Sequence, residues 1–294
     1  MHRLNSVIII IVIILTCLPV PLSASAAAGV GALIWSDEFD GTALNNSWWT
    51  LSVGTHGPGE VQLYTTDNAA VRNGNLVITT RRERRAAPHT GEVFNYTSAW
   101  VTTGYGLAGD ELPAKFLHSG GRWEVRAMLP QLSCPGAWPA HWLMPRSPCW
   151  PMGGEIDIME MWGKKQSKLL PKKVDVAATF HYGEGCNINR VAKKNRHYGH
   201  YPPVPSLHEQ VPWDTEYHVF AVEWRVNDSL SFYVDEHHLV TLDQGDVEGR
   251  VPYEPMAWIL NTALDAAELP DMDAHCSFPL EHKIDYVRVY DLIQ

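Results

Sequence analysis

Beyond one apolar run at its start, Val7–Leu18 (VIIIIVIILTCL), the 294-residue chain has no long hydrophobic stretch, so no later segment reaches membrane-spanning length. Positive charge is also short. Twenty-three lysines and arginines face 33 acids, a formal net charge of −10. Such a balance argues against nucleic acid or other anionic polymers as main partners. Cysteine is sparse, five in all, and no two lie two to four apart, which excludes the common zinc spacings. No helical stripe of convincing length is present, and neither a linker nor an internal repeat divides the chain.

The start of the chain has its own logic. His2 and Arg3 precede the apolar run, PVPLS breaks it, and the small residues Ala24–Ala28 follow. That order reads as a secretory signal peptide, and twelve apolar residues are few for a membrane anchor. The expectation is therefore a leader at 1–28 and one secreted, extracellular domain at 29–294, working as a monomer away from membranes. Losing Arg3 would take the charge from −10 to −11. Losing Cys17 would leave Cys134, Cys149, Cys186 and Cys276, an even number that suits two disulfides and allows three connectivities. Cys134–Cys149 closes a short loop, leaving Cys186–Cys276 as the second bridge. N-x-S/T sequons at Asn45, Asn95 and Asn227 would mark exposed loops or strand ends.

What the chain has in quantity is strand signal. Asn75–Thr80, Gly121–Leu129, Glu155–Glu160, Val174–His181, Tyr217–Val226, Leu230–Val234, Met256–Asn261 and Ile284–Tyr290 are short, β-branched or aromatic, and often alternating. Asn73-Gly74, Asn227-Asp228-Ser229 and Asp235-Glu236 punctuate them, and residues 217–234 read as a hairpin. The pattern predicts an all-β antiparallel sandwich. The basic run Lys164–Lys173 reads as an exposed loop. Twelve tryptophans and eleven tyrosines fill a β-core in part, but indoles also stack on the C–H faces of sugars.

One strand is anomalous. Gly153–Trp162 reads GGEIDIMEMW, with Glu155, Asp157 and Glu160 among isoleucine and methionine. On a helix Glu155 and Asp157 would point about 200° apart. On a strand they share one face while Ile156 and Ile158 share the other. A regular strand would turn Glu160 inward; one extra residue near Met159, a β-bulge, returns it to the acidic face. Two glutamates leaning together there could approach the ~5–5.5 Å of a retaining glycosidase. Asp157 would orient Glu155, and its charge would help keep Glu160 protonated. Two other readings fit the same triplet: oxygen ligands for calcium or magnesium, or a solvated strand face.

GEIDIME (154–160) resembles the E-x-D-x-x-E signature of glycoside hydrolase family 16 in its laminarinase-like form. AWPAHWLMP (137–145) and GRWEVRAMLP (121–130) resemble the family's neighbouring strands, and WSDEFDG (35–41), EVQLYT (60–65), NGNLVITTRRE (73–83), ATFHYG (178–183), YHVFAVEW (217–224) and IDYVRVYD (284–291) match in order. The resemblance implies a concanavalin A-like β-jelly roll of two curved antiparallel sheets. It implies Glu155 as nucleophile, Glu160 as general acid/base and Asp157 as the assisting carboxylate of an endo-β-1,3-glucanase, with no cofactor required. Trp142 and Trp150 match cleft tryptophans, Trp138 shares the strand face of Trp142, and His181 matches a cleft histidine. Glu60 and Gln62 resemble a polar pair that reaches sugar hydroxyls. Some members hold structural calcium at positions corresponding to Glu38, Gly74 and Asp285. The chain departs from the family after Asn261 (NTALDAAELPDMDAHC) and in the insertion at 104–120. Alternatives are mixed-linkage glucan or marine galactan as substrate, transglycosylation, a non-catalytic glucan-binding protein and a calcium-dependent lectin.

Overall fold

The computed structural model describes residues 29–57, 59–107, 112–131, 133–146, 149–163, 176–183, 185–186 and 213–293; the expected leader and the basic run at 164–173 lie outside them. In chain order the strands are β1 (Val30–Asp37), β2 (Thr50–Ser52), β3 (Gln62–Tyr64), β4 (Ala69–Arg72), β5 (Asn75–Ala86) and β6 (Val93–Ser98). There follow β7 (Trp100–Thr102), β8 (Gly121–Met128), β9 (Ala137–Pro145), β10 (Glu155–Met161) and β11 (Val176–His181). The last are β12 (His218–Arg225), β13 (Ser229–Val234), β14 (His237–Asp243), β15 (Met256–Leu264) and β16 (Leu280–Leu292). The larger sheet runs β14-β13-β12-β8-β16-β5-β6-β3, with β1 on β16 and β4 on β5; the smaller runs β11-β10-β9-β15-β7-β2. Pairing is antiparallel except between β3 and β6. The expected 217–234 hairpin is β12–β13, in unbroken register from Phe220↔Val234 to Arg225↔Ser229. Two packed sheets of this kind make the expected jelly-roll sandwich.

Alternation decides what each face buries. The inward residues of β10, Ile156 and Ile158, meet Leu143 of β9, Trp258 and Leu260 of β15, and Trp123 and Val125 of β8 in one core. Trp123 and Trp258 touch edge to face across it, ring centres 5.0 Å apart. The outward residues of the small sheet, Ala140, Trp142, Met144, Ile259 and Trp100, gather in a second cluster with Tyr64 and Leu107. This second cluster is the floor of the candidate cleft.

The disulfides correct the expectation. The bridges are Cys134–Cys276 and Cys149–Cys186, not Cys134–Cys149 with Cys186–Cys276. Sequence proximity misleads because β9 separates Cys134 from Cys149 by a full strand length, so the two leave opposite ends of the sheet. Cys134 precedes β9 and meets the segment after β15, its sheet neighbour. There a short helix, α1 (Leu269–His275), which no periodicity announced, is anchored by the buried Met272 and ends at Cys276.

The residues that the resemblance assigns to calcium are committed elsewhere. Both oxygens of Glu38 accept from the Arg288 guanidinium at 2.9 and 2.7 Å, and Asp285 accepts from Arg126 at 2.5 Å. Gly74 sits in a tight turn with φ +72°. With each carboxylate neutralised by an arginine, this set does not fit a divalent cation. Asn45, Asn95 and Asn227 are all exposed.

Candidate active site

Strand β10 carries the bulge. Against β11, Asp157 pairs with Thr179 but Glu160 with Ala177; against β9, Asp157 pairs with Trp142 but Met159 with His141. Both ladders slip by one residue between Asp157 and Glu160, so Ile158 and Met159 both enter the core and Glu160 returns to the face of Glu155 and Asp157. The strand starts from Gly154, whose φ of +81° and approach to the Phe180 ring, 3.0 Å from where a Cβ would stand, admit no side chain.

Each carboxyl has its own partners. The Trp150 indole N–H donates to Glu155 Oε2. Trp138 Nε1 donates to Glu160 Oε1 at 3.0 Å, with Thr179 Oγ1 at 3.4 Å from Oε2. His181 Nε2 lies 3.1 Å from Asp157 Oδ2, and Asp157 also hydrogen-bonds Glu155. Burial raises all three carboxyl pKa values. Glu155 is pushed up to about 8 by desolvation and then by the Asp157 charge, against the pull of His181 and the Trp150 N–H. Asp157 rises well above the usual carboxylate range through burial and the charge of Glu160. Glu160 is raised by burial, moderated by His181, Trp138 and Thr179. Its proton is therefore kept chiefly by desolvation, where the sequence had pointed to the charge of Asp157. Among the described residues, no lysine or arginine pairs with these carboxyls. The one described group of acid and histidine ligands compact enough for a cation is Glu155, Asp157 and His181, with ligand atoms within 4.8 Å of one another. Asp157 already bonds to both of the others.

A polar relay runs from the floor to one wall. Trp142 Nε1 donates to Asn261 Oδ1, and Asn261 Nδ2 donates to Tyr64 Oη, each at 2.9 Å. Tyr64 Oη donates in turn to Glu60 Oε2, also at 2.9 Å. Glu60 Oε1 meets His56 Nδ1 at 3.1 Å, and the His56 ring rests against Trp100 and Trp142. Gln62 is fully buried; its amide donates to Glu60 and its oxygen accepts from Leu264 N at 2.7 Å. This corrects the expected sugar-binding role of Gln62. It lies behind Glu60 and sets its position, because both ends of its amide are spent within the fold.

A family model described as the GH16 domain of β-porphyranases A–D matches residues 33–292. The chain belongs to glycoside hydrolase family 16. This hydrolase is 34% identical over 284 residues to a β-glucanase of Rhodothermus marinus, covering 89% of the chain and 86% of that protein. It is 30% identical to glucan endo-1,3-β-glucosidase A1 of Niallia circulans, across 88% of the chain but 37% of that longer protein. The catalytic domain of an endo-1,3-β-glucanase (laminarinase) from Thermotoga petrophila superposes with a TM-score of 0.72 at 30% identity, covering 90% of the chain and 100% of that domain.

Several residues of the hydrolase's cleft carried too little sequence signal to be found. His56 lies on a glycine-bounded loop without periodicity. Tyr105, packed on the floor cluster, sits in the insertion at 104–120. Thr179 was legible in principle, since it alternates with His181 on β11 and must share its face.

Proposed function

We propose that the enzyme is a secreted, endo-acting hydrolase of β-1,3-linked glucan that works by double displacement with retention. The bulge in β10 carries this reading, because it sets Glu155 and Glu160 on one face. Glu155, ionised, attacks the anomeric carbon while Glu160 gives its proton to the departing glycosidic oxygen, so one C–O bond forms as another breaks. Water then attacks the glycosyl ester, with Glu160 taking its proton, and Glu155 leaves as carboxylate. The nucleophile must first shed the proton that its buried surroundings favour. Asp157, in hydrogen-bond contact with Glu155 and also raised, is the group placed to hold that shared proton. The Trp150 N–H then steadies the charge left on Glu155.

The glucanase names of the relatives support β-glucan as substrate, and the two disulfides support an oxidising, extracellular setting. A site whose carboxyls have no lysine or arginine partner, among the described residues, suits a neutral sugar. The porphyranase description of the matching family model favours a second reading, a sulfated galactan. Product analysis on laminarin, barley mixed-linkage glucan, agarose, carrageenan and porphyran separates the two. Laminari-oligosaccharides released first as the β-anomer are expected; cleavage of porphyran with laminarin untouched would replace the glucan assignment.

A further inference from the structure

Ten of the twelve tryptophans lie in the buried clusters or pack against them; Trp138 and Trp162 do not. These two pack on each other instead, ring centres 5.2 Å apart and planes tilted by 34°, both half-buried. Their placement follows from the ladder. Glu160 pairs with Ala140, and the β9–β10 bonding continues through Gly163 N to Ala137 O at 2.8 Å and Gly136 N to Gly163 O at 3.1 Å. Two residues on, Trp162 therefore stands opposite Trp138. Met161 points into the core, so Trp162 shares the cleft face with Glu160.

We propose that Trp162, together with Trp138, forms a sugar platform on the leaving-group side of the cleft, where the aglycone portion of the glucan rests before it departs. The inference deepens the mechanism proposed above and rests on its assignment of roles. In an in-line displacement the leaving group lies across the anomeric carbon from the nucleophile. The tryptophan pair lies on that side, past Glu160 and away from Glu155 along β10. The Trp138 N–H ties the platform to the acid that protonates the departing oxygen. Half-exposed indoles present the apolar face that a sugar's C–H surface covers, and a pair spans more of a chain than one ring does.

The test compares laminaripentaose with β-laminaribiosyl fluoride, whose leaving group puts no sugar beyond Glu160. In Trp162→Ala the ratio of kcat/KM on the pentaose to that on the fluoride falls about tenfold, the factor for losing one apolar contact of ~1.4 kcal/mol. Trp162→Tyr, which keeps a stacking face, recovers most of that ratio. Transfer of glucosyl units to added laminaribiose falls in step with the ratio in Trp162→Ala. An unchanged ratio in both variants, or equal loss on both substrates in both, would overturn the platform. Wild-type enzyme inert toward both substrates would overturn the glucanase reading, and the platform with it.

Discussion

His141 of β9 and His282 of β16 meet ring to ring between the two sheets, Nε2 to Nε2 at 2.9 Å, with neither exposed. One ring donates and the other accepts, so the accepting ring is neutral, and burial disfavours charge on either. Desolvation pushes His282 down to about 3 and His141 well below its ordinary value. The unfolded chain takes up protons near pH 6.5 that the folded chain refuses. Stability from this pair is thus present above pH 6.5 and lost as pH falls toward 3, by up to about 1.4 kcal/mol per pH unit for each group. Urea unfolding between pH 7 and pH 4 should show a shallower pH dependence in His282→Gln than in wild type. Parallel curves would show that the pair does not titrate on unfolding.

Glu155 works in the opposite direction. Its pKa rises from 4.5 to about 8 on folding, so its contribution is complete below pH 4.5 and lost as pH climbs to 8. Glu155→Gln removes a buried charge that catalysis needs and folding does not. The variant should melt several degrees above wild type at pH 8, with the gain shrinking toward pH 5, and should show no turnover on laminarin. Scanning calorimetry at the two pH values reads the difference; equal melting temperatures at pH 8 would mean that Glu155 is solvated in the folded enzyme.

The strands that build this site were legible because alternation is a local property. Ile156 and Ile158 against Glu155 and Asp157 fix a strand and its faces, and Glu160 out of phase demands the bulge that both ladders contain. Contacts decided by topology were not legible. Cys134 reaches Cys276 only because β9 and β15 are sheet neighbours, and no spacing rule encodes that adjacency. Gln62 resembles one of a polar pair that reaches sugar hydroxyls, yet β3 carries it fully buried, within reach of Leu264 N at the end of β15. Helix α1 is too short, at seven residues, to show a periodic stripe.

The indole N–H of Trp150 is the donor that lowers the Glu155 pKa, against burial and two neighbouring acids. Trp150→Phe keeps an aromatic ring and removes the donor. Glu155 then holds its proton to higher pH, so the acid limb of the kcat/KM profile should move upward while the alkaline limb, set by the Glu160 proton, moves less. A charge-assisted hydrogen bond of this kind is worth ~1.5–3 kcal/mol, which corresponds to a shift of about one to two pH units at most. A uniform fall in kcat/KM at every pH, without displacement of the acid limb, would assign Trp150 to sugar packing alone.

The two disulfides should fail differently. Cys134–Cys276 spans 142 residues and ties the approach to β9 to the exit of α1, with Cys134 fully buried. Cys149–Cys186 spans 37 and joins the loop that carries Trp150 to the segment just after His181. In the chain-entropy picture the longer loop is worth ~5 kcal/mol and the shorter ~4 kcal/mol, so global stability alone hardly separates them. Position does. Replacing Cys134 and Cys276 together by serine strips a bridge from the small core around Met272, so it should lower the melting temperature with little change in kcat/KM at 25 °C. Replacing Cys149 and Cys186 releases two segments that place groups on Glu155 and Asp157. It should lower kcat/KM even at temperatures where the variant is fully folded. Equal catalytic loss in both double variants would show that each bridge acts only through global stability and that neither positions the active site.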